Sequence, residues 1–134
     1  MNNTIINIIL LTIVYVVQYN TVEEVLMIDN SVKENLFVEL RRGTLILSVL
    51  SQLQEKKYGY SLLQDLQDLG VSIEPGTLYP MLRRLQKQEI LISEWDTNES
   101  KPRKYYVLSN DGIDLFEELV AEWEKVKDDI DRLI

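Results

Sequence analysis

The chain has 134 residues, 46% of them apolar, with 14 Lys and Arg against 22 Asp and Glu and a formal net charge of -8, which suits one domain built around one core. It contains neither Cys nor His, which removes disulfides, thiolate nucleophiles, imidazole bases and the usual zinc ligand sets, and fits a cytoplasmic protein. Carboxylates alone, without a glycine-rich phosphate loop or a paired metal motif, give no recognisable active site, so neither an enzyme nor a bound metal or cofactor is expected.

Residues 1 to 26 carry no Lys or Arg, and an almost unbroken apolar run extends from Ile5 to Val17. The run is shorter than the roughly 20 apolar residues of a membrane-spanning helix and is interrupted by Asn7 and Thr12. It also lacks the positive start and small-residue cleavage site of a signal peptide. Three readings stay open: a start site placed upstream of a natural Met27, an added packing element, or a membrane anchor, the last ranking lowest. Residues 1–30 are therefore set apart as an atypical extension.

From Ser31, the positions Val32, Leu36, Phe37, Leu40, Leu45, Ile46, Val49, Leu50 and Leu53 follow helical spacing, which predicts one long amphipathic helix ending near Lys56 and Lys57. Gly43 weakens it by about 1 kcal/mol relative to Ala unless a close contact needs the missing side chain. A second, short helix is expected from Tyr60, with Leu62, Leu63, Leu66 and Leu69 on its buried side and Gly70 just beyond its end. A third opens at Glu74-Pro75-Gly76-Thr77, carrying Leu78, Met81, Leu82 and Leu85 inward and Arg83, Arg84 and Lys87 outward. Pro80 sits badly in that helix, because a proline past the first turn costs about 3 kcal/mol; propensity alone would start the helix there.

Ile90 to Trp95 and Arg103 to Leu108 are β-branched and aromatic runs around a polar loop, which predicts a hairpin. Helix, helix, helix, hairpin is the order of a winged helix-turn-helix, mainly α within an α+β class, here assigned to residues 31–108. A last helix, capped by Ser109 or Asn110, runs to the end, and residues 109–134 are read as a dimerisation helix. Phe116, Leu119, Trp123, Val126, Ile130 and Leu133 recur at alternating steps of three and four, the spacing of a coiled-coil seam. A second copy is the simplest cover for that seam, though packing back on the same domain is the alternative.

The charge is unevenly spread. From Pro75 to Lys104 there are six cations, Arg83, Arg84, Lys87, Lys101, Arg103 and Lys104, against four acids, whereas from Ser109 onward nine acids face three cations. A mildly basic region and a strongly acidic one are expected to face different partners.

The two motifs GTLYPMLRRLQ (Gly76 to Gln86) and KPRKYYVLS (Lys101 to Ser109) resemble those of the PadR family of transcriptional regulators, and the likeness extends from about Leu40 to the C-terminus. The resemblance implies a dimeric repressor whose third helix enters the major groove of double-stranded DNA, whose wing touches the flanking backbone or minor groove, and whose last helix dimerises. It also implies that the helix starts at Pro75 despite Pro80. Carried over by position, Thr77, Tyr79 and Pro80 lie at the DNA-facing start of the recognition helix, Arg83 or Arg84 lies further along it, and Lys101, Arg103 and Lys104 lie on the wing; Arg83, Arg84 and Lys87, all on the outward face, complete the expected DNA-binding set. Tyr105 and Tyr106 match paired tyrosines that are expected to pack the strand. Trp123 matches a tryptophan which, in the multidrug-responsive members of the short type, lines a cavity between subunits. A small aromatic effector is therefore a possible partner, with plain seam packing the equal alternative for Trp123.

Two positions depart from the family pattern, which usually has Gly where Glu89 stands and glycines at the wing tip where Ser100 and Lys101 stand. The competing function class is a winged-helix module that binds protein instead of DNA, a reading the acidic net charge favours. If the wing meets phosphate, replacing Arg103 and Lys104 by Ala is expected to weaken binding to every DNA sequence alike and to flatten its salt dependence. An unchanged salt slope would exclude a phosphate contact from the wing.

Overall fold

Helical and alternating apolar patterns fold into the order α1 (Asn3–Leu26), α2 (Asn30–Arg42), α3 (Leu45–Ser51), β1 (Lys57–Tyr58), α4 (Gly59–Asp68), α5 (Pro75–Lys87), β2 (Leu91–Asp96), β3 (Arg103–Leu108) and α6 (Asn110–Leu133). The computed structural model describes the backbone of residues 2–26 and 29–134, and the side chains of 2–18 and 29–134. Met27, the expected alternative start, lies outside the described residues. The chain divides into two compact units, Met1–Arg41 and Arg42–Ile134.

In the first unit, the part of α1 from Ile5 to Val17 is apolar on several sides: Ile5, Leu10 and Leu11, which point in different directions, are all half or more exposed. Among the described residues, no helix is long and apolar enough to cross a membrane. α2 begins where the Asp29 carboxylate accepts the Ser31 N–H at 2.9 Å, a bond that holds Asp29 below the ordinary carboxylate value. Val32, Leu36, Phe37 and Leu40 form its exposed apolar stripe.

The single long helix expected from Ser31 toward Lys57 does not form. The ladder is interrupted at Gly43 and Thr44, separating α2 from α3, and α3 ends at Ser51. A Cβ at Gly43 would meet nothing within 4 Å, so no close contact requires the glycine there. Its weak helix propensity makes it the cheapest place to break, and Thr44 restarts the ladder by accepting the Ser48 N–H at 3.0 Å. Residues on the two sides of the break share a period but not an environment: the α2 stripe is exposed, whereas Val49, Leu50 and Leu53 are completely buried.

Lys57, expected at a helix end, instead opens the third strand of a sheet ordered β1-β3-β2. Lys57 and Tyr58 pair antiparallel with Tyr106 and Tyr105, and the Leu53 carbonyl accepts the Leu108 N–H at 2.9 Å. A strand of two residues has no period to read. The expected hairpin forms, with Leu91 opposite Leu108 and Asp96 opposite Arg103.

The core of the second unit joins α3, α4, α5, β2 and β3. Leu62, Leu66, Leu78, Leu82 and Leu85 are at most 1% exposed and pack with Leu50, Leu53, Ile73, Leu91, Tyr106 and Leu108. α5 keeps its full length through Pro80, because three fully buried leucines hold it and the penalty falls on its outer side. Pro80 has no N–H to offer the Gly76 carbonyl one turn back, but both residues face water, which can supply the missing partner.

Both α4 and α5 end in the same capped turn. In α4, Gly70 adopts φ 82° while the Val71 N–H reaches back to the Leu66 carbonyl at 2.9 Å. In α5, the Ile90 N–H reaches Leu85 at 3.0 Å and Glu89 takes the left-handed place at φ 61°. The departure from Gly at this position therefore leaves the turn intact, but a side chain now sits where glycine is favoured. Glu89→Gly is expected to stabilise the protein by about 0.5–1 kcal/mol, raising its melting temperature by about 2–5 °C in calorimetry. A lower melting temperature would show that the Glu89 side chain contributes more than its backbone strain costs.

Candidate nucleic-acid interface

α5 presents one continuous polar face. Thr77, Pro80, Arg83, Arg84 and Lys87 are exposed along it, opposite the buried Leu78, Leu82 and Leu85. Pro75 at the first position fixes φ for the helix start, and Glu74 accepts the Thr77 and Leu78 N–H groups at 2.9 and 3.0 Å. Tyr79 differs from its neighbours. It is half-buried, and its ring lies so close to Gly59 that a Cβ there would be 3.0 Å from Tyr79 Cε1. Gly59 is thus a close-approach residue that lets α4 seat on α5.

The wing is tied to α5 by a side chain that counting charges does not reveal. Lys104 Nζ donates to Gln86 Oε1 at 2.8 Å and lies over the rings of Tyr106 and Trp95, 5.3 and 5.8 Å from their centroids. It is a half-buried strut between β3 and α5, and Gln86 is the partner the sequence does not announce. Arg103 pairs with Glu99 at 2.9 Å and stands 5.2 Å over the Tyr58 ring; Tyr105, then Glu99, favour its charged form. Lys101 is exposed at the wing tip. Among the described residues, Arg83, Arg84, Lys87 and Lys101 enter no ion pair. These four cations are available to an outside anion.

The other face of the sheet is aromatic. Tyr58 lies 6.1 Å from Tyr105 and 6.0 Å from Tyr60 between ring centroids, and Lys56, bonded to Glu94, stands over Tyr105. Lys57 joins β1 to α4 through Asp65 at 2.6 Å. Tyr106 packs inward at 5% exposure, while Tyr105 is half-buried on the outer face, so the paired tyrosines serve opposite sides of one strand.

The last helix begins at Ser109, whose hydroxyl oxygen accepts the Gly112 N–H at 3.0 Å. Its predicted seam divides in two. Phe116 and Leu119 are half-buried against the core of their own domain, whereas Trp123, Val126, Ile130 and Leu133 are 39, 44, 49 and 78% exposed. Two shallow cavities, of about 240 and 260 Å³, lie at the α4–α5 turn and beside Lys56 and Trp95; neither is lined by Trp123. Among the described residues, no cluster of carboxylates is placed to hold a metal ion.

A tri-helical head, a three-stranded wing sheet and a long trailing helix define a winged helix-turn-helix protein of the DNA-binding class. Residues 46–118 match the family model described as the transcriptional regulator PadR-like family. The solved structure of a PadR family transcriptional regulator from Eggerthella lenta is similar at 46% identity and a TM-score of 0.75, over 78% of this chain and 93% of that one. A PadR-like regulator from Bacillus cereus is similar at 28% identity and a TM-score of 0.63, over 71% and 95%. An uncharacterised protein of Lysinibacillus sphaericus is 34% identical over 98 residues, 69% of this chain and 90% of its own length. A transcriptional regulator of Mycobacterium tuberculosis is 33% identical over 69 residues, 51% and 64% of the two chains. The chain belongs to the PadR-like family of transcriptional regulators, which is not a family of enzymes.

Burial raises the Tyr106 phenol above its ordinary value, against a smaller opposing effect of Arg83. The neutral form is favoured in the folded state, so its contribution is complete below a pH of about 10 and is lost as pH rises through the folded value. A spectrophotometric titration is expected to show a late-ionising tyrosine that Tyr106→Phe removes. A curve unchanged by that substitution would contradict the assignment.

Proposed function

We propose that the protein is a homodimeric, cytoplasmic repressor whose paired α5 helices read an inverted-repeat operator in double-stranded DNA. The observation that carries this reading is the separation of two uncovered surfaces on one domain: the unpaired cations of α5 and the wing tip, and the exposed distal stripe of α6. The first needs phosphate; the second needs an apolar cover, and its seam spacing suits an identical helix. In this assignment residues 31–108 hold the reading head, residues 109–134 the dimerisation helix, and residues 1–30 an appended extension.

Thr77 and Pro80, exposed at the start of α5, are placed to meet base edges, with the accessible part of Tyr79 beside them. Arg83, Arg84, Lys87 and Lys101 meet phosphates, and Arg103 and Lys104 act chiefly by holding the wing in shape. The two heads of a dimer would sit about 34 Å apart, one turn of DNA. A small aromatic effector near Trp123 would release DNA only by binding the released geometry more tightly; Trp123 fluorescence in a Trp95→Phe background is the direct readout for it.

Gel-shift titration against DNA upstream of the protein's own gene, with sedimentation of the free protein, tests the proposal. A dimer at micromolar concentration and a retarded complex are expected, with affinity falling steeply as salt rises. Replacing Arg84 and Lys87 by Ala should lower the logarithmic salt slope by about 2. A lone subunit, or indifference to duplex in dilute buffer, overturns the reading; a dimer that binds no duplex leaves the protein-interaction module in its place.

A further inference from the structure

One carbonyl joins three elements of the domain. The Ile90 oxygen, between the end of α5 and the start of β2, accepts the Ser109 N–H at 3.0 Å and shares the Ser109 hydroxyl proton at 3.1 Å. The same hydroxyl reaches the Glu89 carbonyl at 2.7 Å, and its oxygen takes the Gly112 N–H of the first turn of α6. Ile90 is itself bonded back to Leu85 of α5 at 3.0 Å. The end of the reading helix and the beginning of the last helix are therefore bolted to one point.

Gly112 shows how tight this joint is. It has no positive φ to justify glycine, and a helical Gly costs about 1 kcal/mol relative to Ala. A Cβ there would lie 2.2 Å from the Ile90 oxygen and 3.1 Å from its carbon. The glycine exists for the close approach of α6 to the backbone that leaves α5.

We infer that Ser109 and Gly112 are positioning residues that set the distance between the two reading helices, and hence the half-site spacing the dimer accepts. The inference rests on the dimeric, DNA-reading function proposed above. α6 has 24 residues and is about 36 Å long. Restoring an ordinary 3.4–4 Å contact at Gly112 opens the joint by more than 1 Å. Across a single helical turn of about 5 Å that is a tilt of about 10°, which moves the far end of the helix by about 6 Å. DNA rises by about 3.4 Å per base pair, so the heads would shift by one or two base pairs. Neither residue lies on the α5 face that meets DNA, so contact with each half-site stays as it was.

The test measures affinity for single half-sites and for a ladder of inverted repeats that differ by one base pair in spacing, using full-length wild type, Gly112→Ala and Ser109→Ala. Wild type should prefer one spacing by about tenfold or more, since simultaneous engagement is lost when the geometry does not match. Gly112→Ala should move the optimum by one or two base pairs at unchanged half-site affinity, and Ser109→Ala, which loosens the joint without forcing it open, should keep the optimum and flatten the profile. If both variants are folded and dimeric and reproduce the wild-type profile, the inference is overturned. Should Gly112→Ala fail to fold, the Ser109→Ala profile decides alone: flattened supports the joint, unchanged refutes it. A wild type that binds no inverted repeat removes the operator reading itself, an outcome distinct from unaltered spacing.

Discussion

The surface of this protein depends on the burial of one helix face. Leu78, Leu82 and Leu85 of α5 are almost wholly removed from water, and truncating a leucine so placed costs about 2–5 kcal/mol. That anchoring holds α5 helical through Pro80, whose penalty of about 3 kcal/mol would break a helix supported by propensity alone. It also determines which way the rest of the helix points. With the leucines inward, Thr77, Arg83, Arg84 and Lys87 have no choice but the outside.

The wing is held by a different kind of interaction. Its cations are mostly engaged within the protein: Lys104 by Gln86 and two aromatic rings, Arg103 by Glu99 and Tyr58. The basic count of the region overstates the charge free to meet phosphate, and α5 carries more of that charge than the wing. The acids of α6 are partly engaged as well, through Lys125 with Glu122, Lys127 with Glu124 and Arg132 with Asp129 along the exposed helix. Exposed pairs of this kind contribute little to stability; their consequence is a polar flank beside an apolar stripe that stays uncovered.

Strain is concentrated where these parts meet. Glu89 holds a left-handed conformation that glycine would adopt more easily, and it does so one residue before the carbonyl on which α6 is mounted. The backbone geometry of the turn is thus retained with a costlier residue. The hydrogen bonds from Ile90 to Leu85 and from Ser109 to Ile90 over-determine it.

Several features were legible in the residues alone. The inward leucines of α5, the hairpin and a cap at Ser109 or Asn110 each rest on a local signal, a period or a capping side chain, whose effect acts within a few residues; the start at Pro75 had a local signal too, but Pro80 competed with it. The break at Gly43–Thr44 was not legible, because one helical period continues across two environments. β1 was not legible either, because two residues gain strand geometry only from the partner that pairs with them. Nor could the seam of α6 reveal by its spacing that Phe116 and Leu119 pack on their own domain while Trp123 and the residues beyond it do not. Local chemistry determined the other elements and their order, since caps, turns and periodicity are short-range effects. Tertiary structure alone decided which charges are free, which apolar residues are covered and where Gly112 must lack a side chain, because each depends on atoms brought close from distant parts of the chain.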